Sequence, residues 1–170
     1  MKNVKCILID VDGTLTDGKI YMGDSGEEFK VFNVKDGMGI IKAIENNIAI
    51  GFITGRGCKA LENRANSLGV KYLYQNNNKK VDIIKEIIEK ENISKDEVLF
   101  IGDDINDFNA MVFSGYTACP RDASDDIINI SQYISKRKGG DGAVRDIIEY
   151  VLKEQNLWNI NKDVVSYYKK

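Results

Sequence analysis

Residues 5–17 read K-C-I-L-I-D-V-D-G-T-L-T-D, and the apolar run Cys6, Ile7, Leu8 and Ile9 stops abruptly at Asp10 and Asp12. Four apolar residues in a row predict a buried strand, and Gly13 and Thr14 end it. Delivering acids at the end of a buried strand is unfavourable. Even a neutral polar group costs about 2–7 kcal/mol to bury without a partner. A strand alternates its side chains with period two, so Asp10 and Asp12 are expected on one side. Two like charges held together raise each other's pKa unless a cation sits between them. Asp12-Gly13 read as a plain turn is the simpler alternative. A bound divalent cation and an anionic ligand account for more of the stretch.

Working outward, three further apolar runs end in polar residues. Residues 48–53 close on Thr54, Gly55 and Arg56; residues 98–101 close on Gly102, Asp103 and Asp104; and residues 70–74 form a shorter run. Between them lie helical patterns at residues 36–46 (Met38, Ile41 and Ile44 on the apolar stripe), 58–68, 80–91 (Val81, Ile84, Ile87 and Ile88), 104–113 and 143–153. A weaker helix is read at 122–128, with short strands at 117–119 and 133–134. Residues 18–34 read as a β-hairpin around Gly23, Asp24, Ser25 and Gly26. Strands alternating with helices give an α/β fold, a doubly wound parallel sheet. Its ligand site lies beyond the carboxyl ends of the strands. That is where Asp10, Asp12, Thr54, Asp103 and Asp104 converge. No linker divides the chain, so residues 1–158 are expected to form one domain and residues 159–170 a polar tail.

Composition narrows the chemistry. The 170 residues contain no histidine, which removes histidine-based triads, general bases and zinc sites. Oxygen donors predominate, so a hard cation such as Mg²⁺ is favoured. A net charge of −2 gives no argument for nucleic acid or an acidic membrane. No run approaches the roughly 18 apolar residues of a spanning helix. Cys6, Cys58 and Cys119 make no paired motif, which points to free thiols and a cytoplasmic location.

The ordered set of motifs resembles the haloacid dehalogenase superfamily of phosphatases and phosphotransferases. The first motif is Asp10-Val11-Asp12-Gly13-Thr14, the second Thr54, the third a helix-opening lysine (Lys80, or else Lys79) and the fourth Gly102-Asp103-Asp104-Ile105-Asn106-Asp107. The resemblance implies a magnesium-dependent phosphomonoester hydrolase with Asp10 as nucleophile, Asp12 as general acid and base, and Thr54 and Lys80 on the phosphoryl group. The metal would be held by Asp10, the Asp12 carbonyl and Asp103, with Asp104 and Asp107 as supplementary ligands.

Only the hairpin separates the first motif from the first helix, so no cap domain is expected. The chain is similar to the capless 3-deoxy-D-manno-octulosonate 8-phosphate (KDO 8-phosphate) phosphatases, through Asn33-Val34-Lys35-Asp36-Gly37, Thr54-Gly55-Arg56 and the glycine-rich segment 139–146. That resemblance implies a phosphorylated sugar-acid substrate and a homotetramer built through the hairpins. It implies substrate contacts from Asn33, Lys35, Asp36, Gly37, Gly140 and Arg145. Arg56 and Arg64 are added because positions 56, 60 and 64 share a helix face and a guanidinium suits a carboxylate. Asn76, Asn77 and Asn78 replace a more glycine-containing loop, and Ile41 stands where relatives often carry a basic residue. The alternatives are a nonulosonate 9-phosphate phosphatase, a general sugar phosphatase, and a non-catalytic scaffold of the same fold.

Overall fold

Strand β1, Cys6–Ile9, lies at the centre of the sheet and is buried along its whole length. The protein is represented by a computed structural model, in which residues 1–159 are described. The polar tail read at 159–170 therefore lies, beyond Asn159, outside the described residues. After β1 come the hairpin strands β2 (Tyr21–Met22) and β3 (Glu28–Phe29), then α1 (Val34–Glu45), β4 (Ala49–Ile53), α2 (Lys59–Leu68), β5 (Tyr72–Tyr74) and α3 (Lys80–Glu91). The chain continues through β6 (Val98–Ile101), a 3-10 turn at Ile105–Asp107, α4 (Phe108–Phe113), β7 (Tyr116–Cys119), α5 (Asp125–Ile130), β8 (Tyr133–Ile134) and α6 (Ala143–Glu154). The main sheet has the order β5-β4-β1-β6-β7-β8 and every pairing in it is parallel.

Period-two alternation on β1 explains why the sheet is covered on both faces. Ile7 and Ile9 pack with Ile40 and Ala43 of α1, Leu61 and Ala65 of α2, and Val144, Ile147 and Ile148 of α6. Cys6 and Leu8 pack on the other face with Ile83, Ile84 and Ile87 of α3, Ala110 and Met111 of α4, and Ile127 of α5. Each fully buried aliphatic side chain stabilises the fold by about 1.5–3 kcal/mol. Because β4 and β6 flank β1, the chain leaves β1 in opposite directions on its two sides. The crevice at such a switch point opens above the carboxyl ends of these three strands.

Two helix faces differ from the pattern read from sequence. The inward face of α1 is Asp36, Gly37, Gly39, Ile40 and Ala43, while Met38, Ile41 and Ile44 are half-buried. Gly39 lets α6 approach closely, since a Cβ there would press on Arg145. On α3, Lys80 and Ile83 are buried with Ile84 and Ile87, whereas Val81 and Ile88 are only half-buried. The lysine takes the inward position because partners of opposite charge await it there.

The hairpin is a separate two-stranded ribbon, with Tyr21 opposite Phe29 and Met22 opposite Glu28. Its apolar side chains Ile20, Met22, Phe29 and Val31 point to solvent.

Candidate active site

The sheet ladder runs one residue past β1, with the Asp10 N–H donating to the Ile101 carbonyl at 2.9 Å. The backbone then turns over Val11–Leu15, with Asp12 at φ −83°, ψ 110° and Gly13 at φ 96°. Strand alternation therefore does not orient Asp12, contrary to the sequence reading. The turn orients it, and it still brings both acids to the crevice. Gly13 is required twice: its positive φ disfavours any side chain, and a Cβ there would strike the Asp103 carboxylate. Gly13→Ala is expected to lower stability by about 2 kcal/mol or more, from strain and displacement of the half-buried Asp103 carboxylate. Urea unfolding measures this directly.

Three carboxylates meet at the centre. Oxygens of Asp10, Asp103 and Asp107 lie within 4.8 Å of one another, the one such group among the described residues. Lys80 Nζ reaches in from the start of α3 and donates to Asp10 Oδ1 at 2.6 Å and Asp107 Oδ1 at 2.5 Å. Asp107 Oδ2 accepts from the N–H groups of Asp103 (3.1 Å) and Asp104 (3.4 Å), which fixes the loop after β6. Thr14 Oγ1 donates to Asp103 Oδ1 at 3.0 Å.

One lysine does not balance three acids. Burial, then the charge on Asp107, pushes the Asp10 carboxyl up to about 7, against the pull of Lys80. Burial, then Asp10 and Asp107, pushes Asp103 up to about 8. Burial alone would draw Lys80 down, but Asp10 and Asp107 outweigh it and hold it above the usual lysine value. A cluster of oxygen donors short of positive charge fits a divalent, hard cation. Asp10, Asp103 and Asp107 are the side chains positioned to hold one.

Asp12 stands beside this cluster. Its Oδ2 accepts from Thr54 Oγ1 at 3.3 Å, and its Oδ1 pairs with Lys30. Thr54 sits at the end of β4, where its Oγ1 also accepts from the Arg56 N–H at 3.0 Å. Lys30 was not among the residues singled out from sequence. It comes from the hairpin, its side chain is only 4% exposed, and no local pattern announces that it folds back over Asp12.

Several expected site residues are placed elsewhere. Asp104 is exposed and caps the turn it opens, accepting from the Ile105 N–H at 2.8 Å, so it stands outside the acid cluster. Arg56 precedes α2 rather than belonging to it, so it does not share a helix face with Arg64. Arg56 Nη2 pairs with Glu28 of the hairpin at 2.9 Å, while Arg64 lies over Gly37 near the Asn33 carbonyl.

Asp36 has no exposed surface. Its Oδ1 accepts the Arg145 N–H at 2.7 Å, and its Oδ2 is buried without a partner. Gly142 at the start of α6 has no side chain to cap the helix, so Asp36 supplies the acceptor from α1. Burial pushes its carboxyl up to about 6. Gly37 is likewise buried, and Lys79 is exposed.

Asn33 caps α1 through the Lys35 N–H and its Nδ2 donates to the Gly140 carbonyl at 3.4 Å. Gly140 packs against residues 16 and 17 and donates its N–H to the Thr14 carbonyl at 3.2 Å. Asn33, Lys35 and Arg145 line a cleft of about 420 Å³ with Arg137, Asp141 and Glu149. That lining includes none of the three clustered acids.

Comparison with known proteins agrees with this geometry. The family described as haloacid dehalogenase-like hydrolase matches residues 72–148. The 3-deoxy-D-manno-octulosonate 8-phosphate phosphatase KdsC of Salmonella typhi is 40% identical over 154 residues, spanning 91% of this chain and 82% of the relative. A crystal structure of that phosphatase from Yersinia pestis superposes with a TM-score of 0.90 at 39% identity, covering 92% of this chain and 84% of the other. The Moraxella catarrhalis phosphatase, in complex with magnesium, phosphate and KDO, superposes with a TM-score of 0.89 at 34% identity, covering 91% and 89%. With its central acids, its capless sheet and this degree of identity, the chain belongs to the 3-deoxy-D-manno-octulosonate 8-phosphate phosphatase family of haloacid dehalogenase-like hydrolases.

Proposed function

We propose that the protein is a magnesium-dependent phosphatase that hydrolyses KDO 8-phosphate through an aspartyl-phosphate on Asp10. The carrying observation is the meeting of Asp10, Asp103 and Asp107 around Lys80 at the carboxyl ends of the central strands. The relatives named above support the substrate.

In this reading an Asp10 oxygen attacks phosphorus, the Asp10–phosphorus bond forms and the ester phosphorus–oxygen bond breaks. Asp12 gives its proton to the departing sugar oxygen. It then takes a proton from the water that attacks phosphorus, and the Asp10 carboxylate is released with inorganic phosphate. Thr54 supplies a hydroxyl and Lys80 a positive charge to the phosphoryl oxygens. Asp10, Asp103 and Asp107 would hold Mg²⁺, which would neutralise the anionic approach. Asn33, Lys35 and Arg145 offer polar contacts for a sugar acid near the glycine-rich segment. Residues 1–158 act as the single catalytic unit.

The exposed apolar side chains on both faces of the hairpin support assembly of four subunits through it, because Ile20, Met22, Phe29 and Val31 are 54–68% exposed in one chain. Among the described residues no helix is long and apolar enough to cross a membrane, and three unpaired cysteines support a reducing, cytoplasmic setting.

The test is phosphate release with Mg²⁺ on KDO 8-phosphate, set against a nonulosonate 9-phosphate and a simple sugar phosphate. Preference for KDO 8-phosphate is expected. Equal turnover of all three would reject the substrate, and turnover of none would reject the enzyme.

The acid cluster also sets a pH dependence. Asp10 and Asp103 titrate near 7 and 8, above the usual carboxylate value of 3.8. The folded, metal-free protein therefore binds more protons than the unfolded chain between about pH 4 and pH 8. Its stability from these groups is full below about pH 4, falls as pH rises by up to about 1.4 kcal/mol per pH unit per group, and levels off once pH has passed through the folded values of about 7 and 8. Mg²⁺ should accordingly raise the melting temperature more at pH 8 than at pH 6. Thermal melts with EDTA and with Mg²⁺ at the two pH values check it.

A further inference from the structure

Asp36 is the buried acid that the reaction scheme leaves without a task. It has no exposed surface, one of its oxygens has no partner, and it stands outside the three-acid group. Burying a carboxylate is unfavourable, and an apolar residue of similar size serves packing better. Its charge therefore calls for another explanation.

Two helix starts supply one. Asp36 is the third residue of α1, where an acid meets the positive end of that helix's own dipole. Its Oδ1 accepts the N–H of Arg145, the third residue of α6, at 2.7 Å. The side chain at a helix's cap position ordinarily accepts such a first-turn N–H. In α6 that position is Gly142, at φ 92°, which has no side chain to offer. The Gly142 N–H also stabilises the Asp36 anion. One carboxylate thus ties together the beginnings of α1 and α6.

The segment just before α6 reaches the catalytic turn. A Cβ on Gly139 would strike the Gly13 carbonyl, and one on Gly140 the backbone of Thr16 and Asp17. The Gly140 N–H donates to the Thr14 carbonyl at 3.2 Å, while Asn33 Nδ2, at the start of α1, donates to the Gly140 carbonyl at 3.4 Å. Thr14 passes its own hydroxyl to Asp103 Oδ1 at 3.0 Å, and the same turn carries Asp12. The start of α1 therefore grips residues 140–145 at both ends, through Asn33 and Asp36. We infer that Asp36 is a positioning residue: by pinning the start of α6 it seats Gly139 and Gly140 against residues 13–17, and so fixes Asp12 and, through Thr14, Asp103. It stands behind the reacting groups and touches none of them. The inference rests on the proposed phosphatase reading and adds to it a support for two of its acids.

The experiment is steady-state kinetics on KDO 8-phosphate at saturating Mg²⁺, with calorimetric Mg²⁺ binding on the same preparations. Asp36→Ala is expected to lower kcat by about 10- to 100-fold, the scale for moving a reacting group by about 1 Å. KM should change little, and Mg²⁺ affinity should weaken several-fold. Asp36→Asn keeps an acceptor oxygen for the Arg145 N–H and should restore kcat to within a few-fold. Thr14→Val removes the hydroxyl that meets Asp103. Combined with Asp36→Ala it should cost clearly less than the product of the two separate losses, because both act along one line of contacts. Gly140→Ala lifts the segment from the turn with Asp36 still in place. It should lower kcat by the same order as Asp36→Ala, which keeps the idea testable if Asp36→Ala does not fold. Unchanged kcat in folded Asp36→Ala or in Gly140→Ala would overturn the inference and leave Asp36 a stabilising residue alone. Losses that multiply fully in the double variant would overturn it too, as would a raised KM at constant kcat. Absence of turnover by the unmodified protein on any phosphate ester would instead reject the underlying phosphatase reading.

Discussion

Asp10→Asn is expected to lower kcat by about ten-thousand-fold or more, the scale for removing a nucleophile that works as part of a unit. The amide cannot form the acyl-phosphate, and no histidine is available as a substitute. The same change should leave the metal-free fold as stable as before, or more so. Asp10 is buried against Asp103 and Asp107, and its charge opposes theirs. Replacing it by a neutral isostere removes that repulsion and still leaves Lys80 paired with Asp107 at 2.5 Å. A phosphate-release assay and a thermal melt on one preparation read both outcomes. Retained turnover would exclude Asp10 as nucleophile. A collapse in stability would show that the acid is structural instead, since active-site groups are expected to trade stability for function.

Lys80→Met should do the reverse to stability. Lys80 is 3% exposed and is the cation within ion-pair distance of both Asp10 and Asp107. Removing one partner of a buried ion pair costs about 3–5 kcal/mol, because the remaining charge is left uncompensated. Here two carboxylates lose their partner together. The variant should unfold at much lower denaturant concentration at pH 8 and recover part of the loss at pH 5, where the acids can take up protons. Its turnover should fall as well, since the phosphoryl oxygens lose their positive contact. Lys79→Met is the control. Lys79 is exposed, and its replacement should change stability by no more than about 0.5 kcal/mol. Urea titrations at the two pH values separate the two lysines, which sequence alone left as alternatives.

What could be read from the sequence divides along physical lines. The strand ends were legible because buried parallel strands are short apolar runs, and a run that stops at Asp10, Thr54 or Asp103 marks where the chain enters the crevice. Lys80 was legible only through family resemblance, since a lysine opening a helix ordinarily faces water. Helix faces were less legible where glycine takes part. Gly37 and Gly39 carry no hydrophobic signal, yet they allow Arg64 and α6 to approach, and they share the inward face of α1 with Ile40 and Ala43.

Arg56 and Arg64 were linked by helical spacing, but α2 starts at Lys59, after Thr54 Oγ1 has accepted the Arg56 N–H. That bond and the extended Cys58 hold residues 54–58 out of the helix. Asp36 read as a ligand-facing acid because its neighbours belong to a recognisable motif. Its burial against the start of α6 is a long-range packing fact with no local trace. Lys30 is the same kind of case: its meeting with Asp12 depends on how the ribbon folds back, and residue patterns within the ribbon do not encode that.

The ribbon that carries Lys30 has one further consequence. It is joined internally by only two residue pairs, and an isolated hairpin of that size is marginal in water. Its exposed apolar side chains, Ile20, Met22, Phe29 and Val31, gain cover when another molecule sits on them. The pose of Lys30 over the crevice then depends on how crowded the protein is with its own copies. Specific activity measured over a dilution series should accordingly decline at low enzyme concentration, and recover on reconcentration, without any loss of folded sheet.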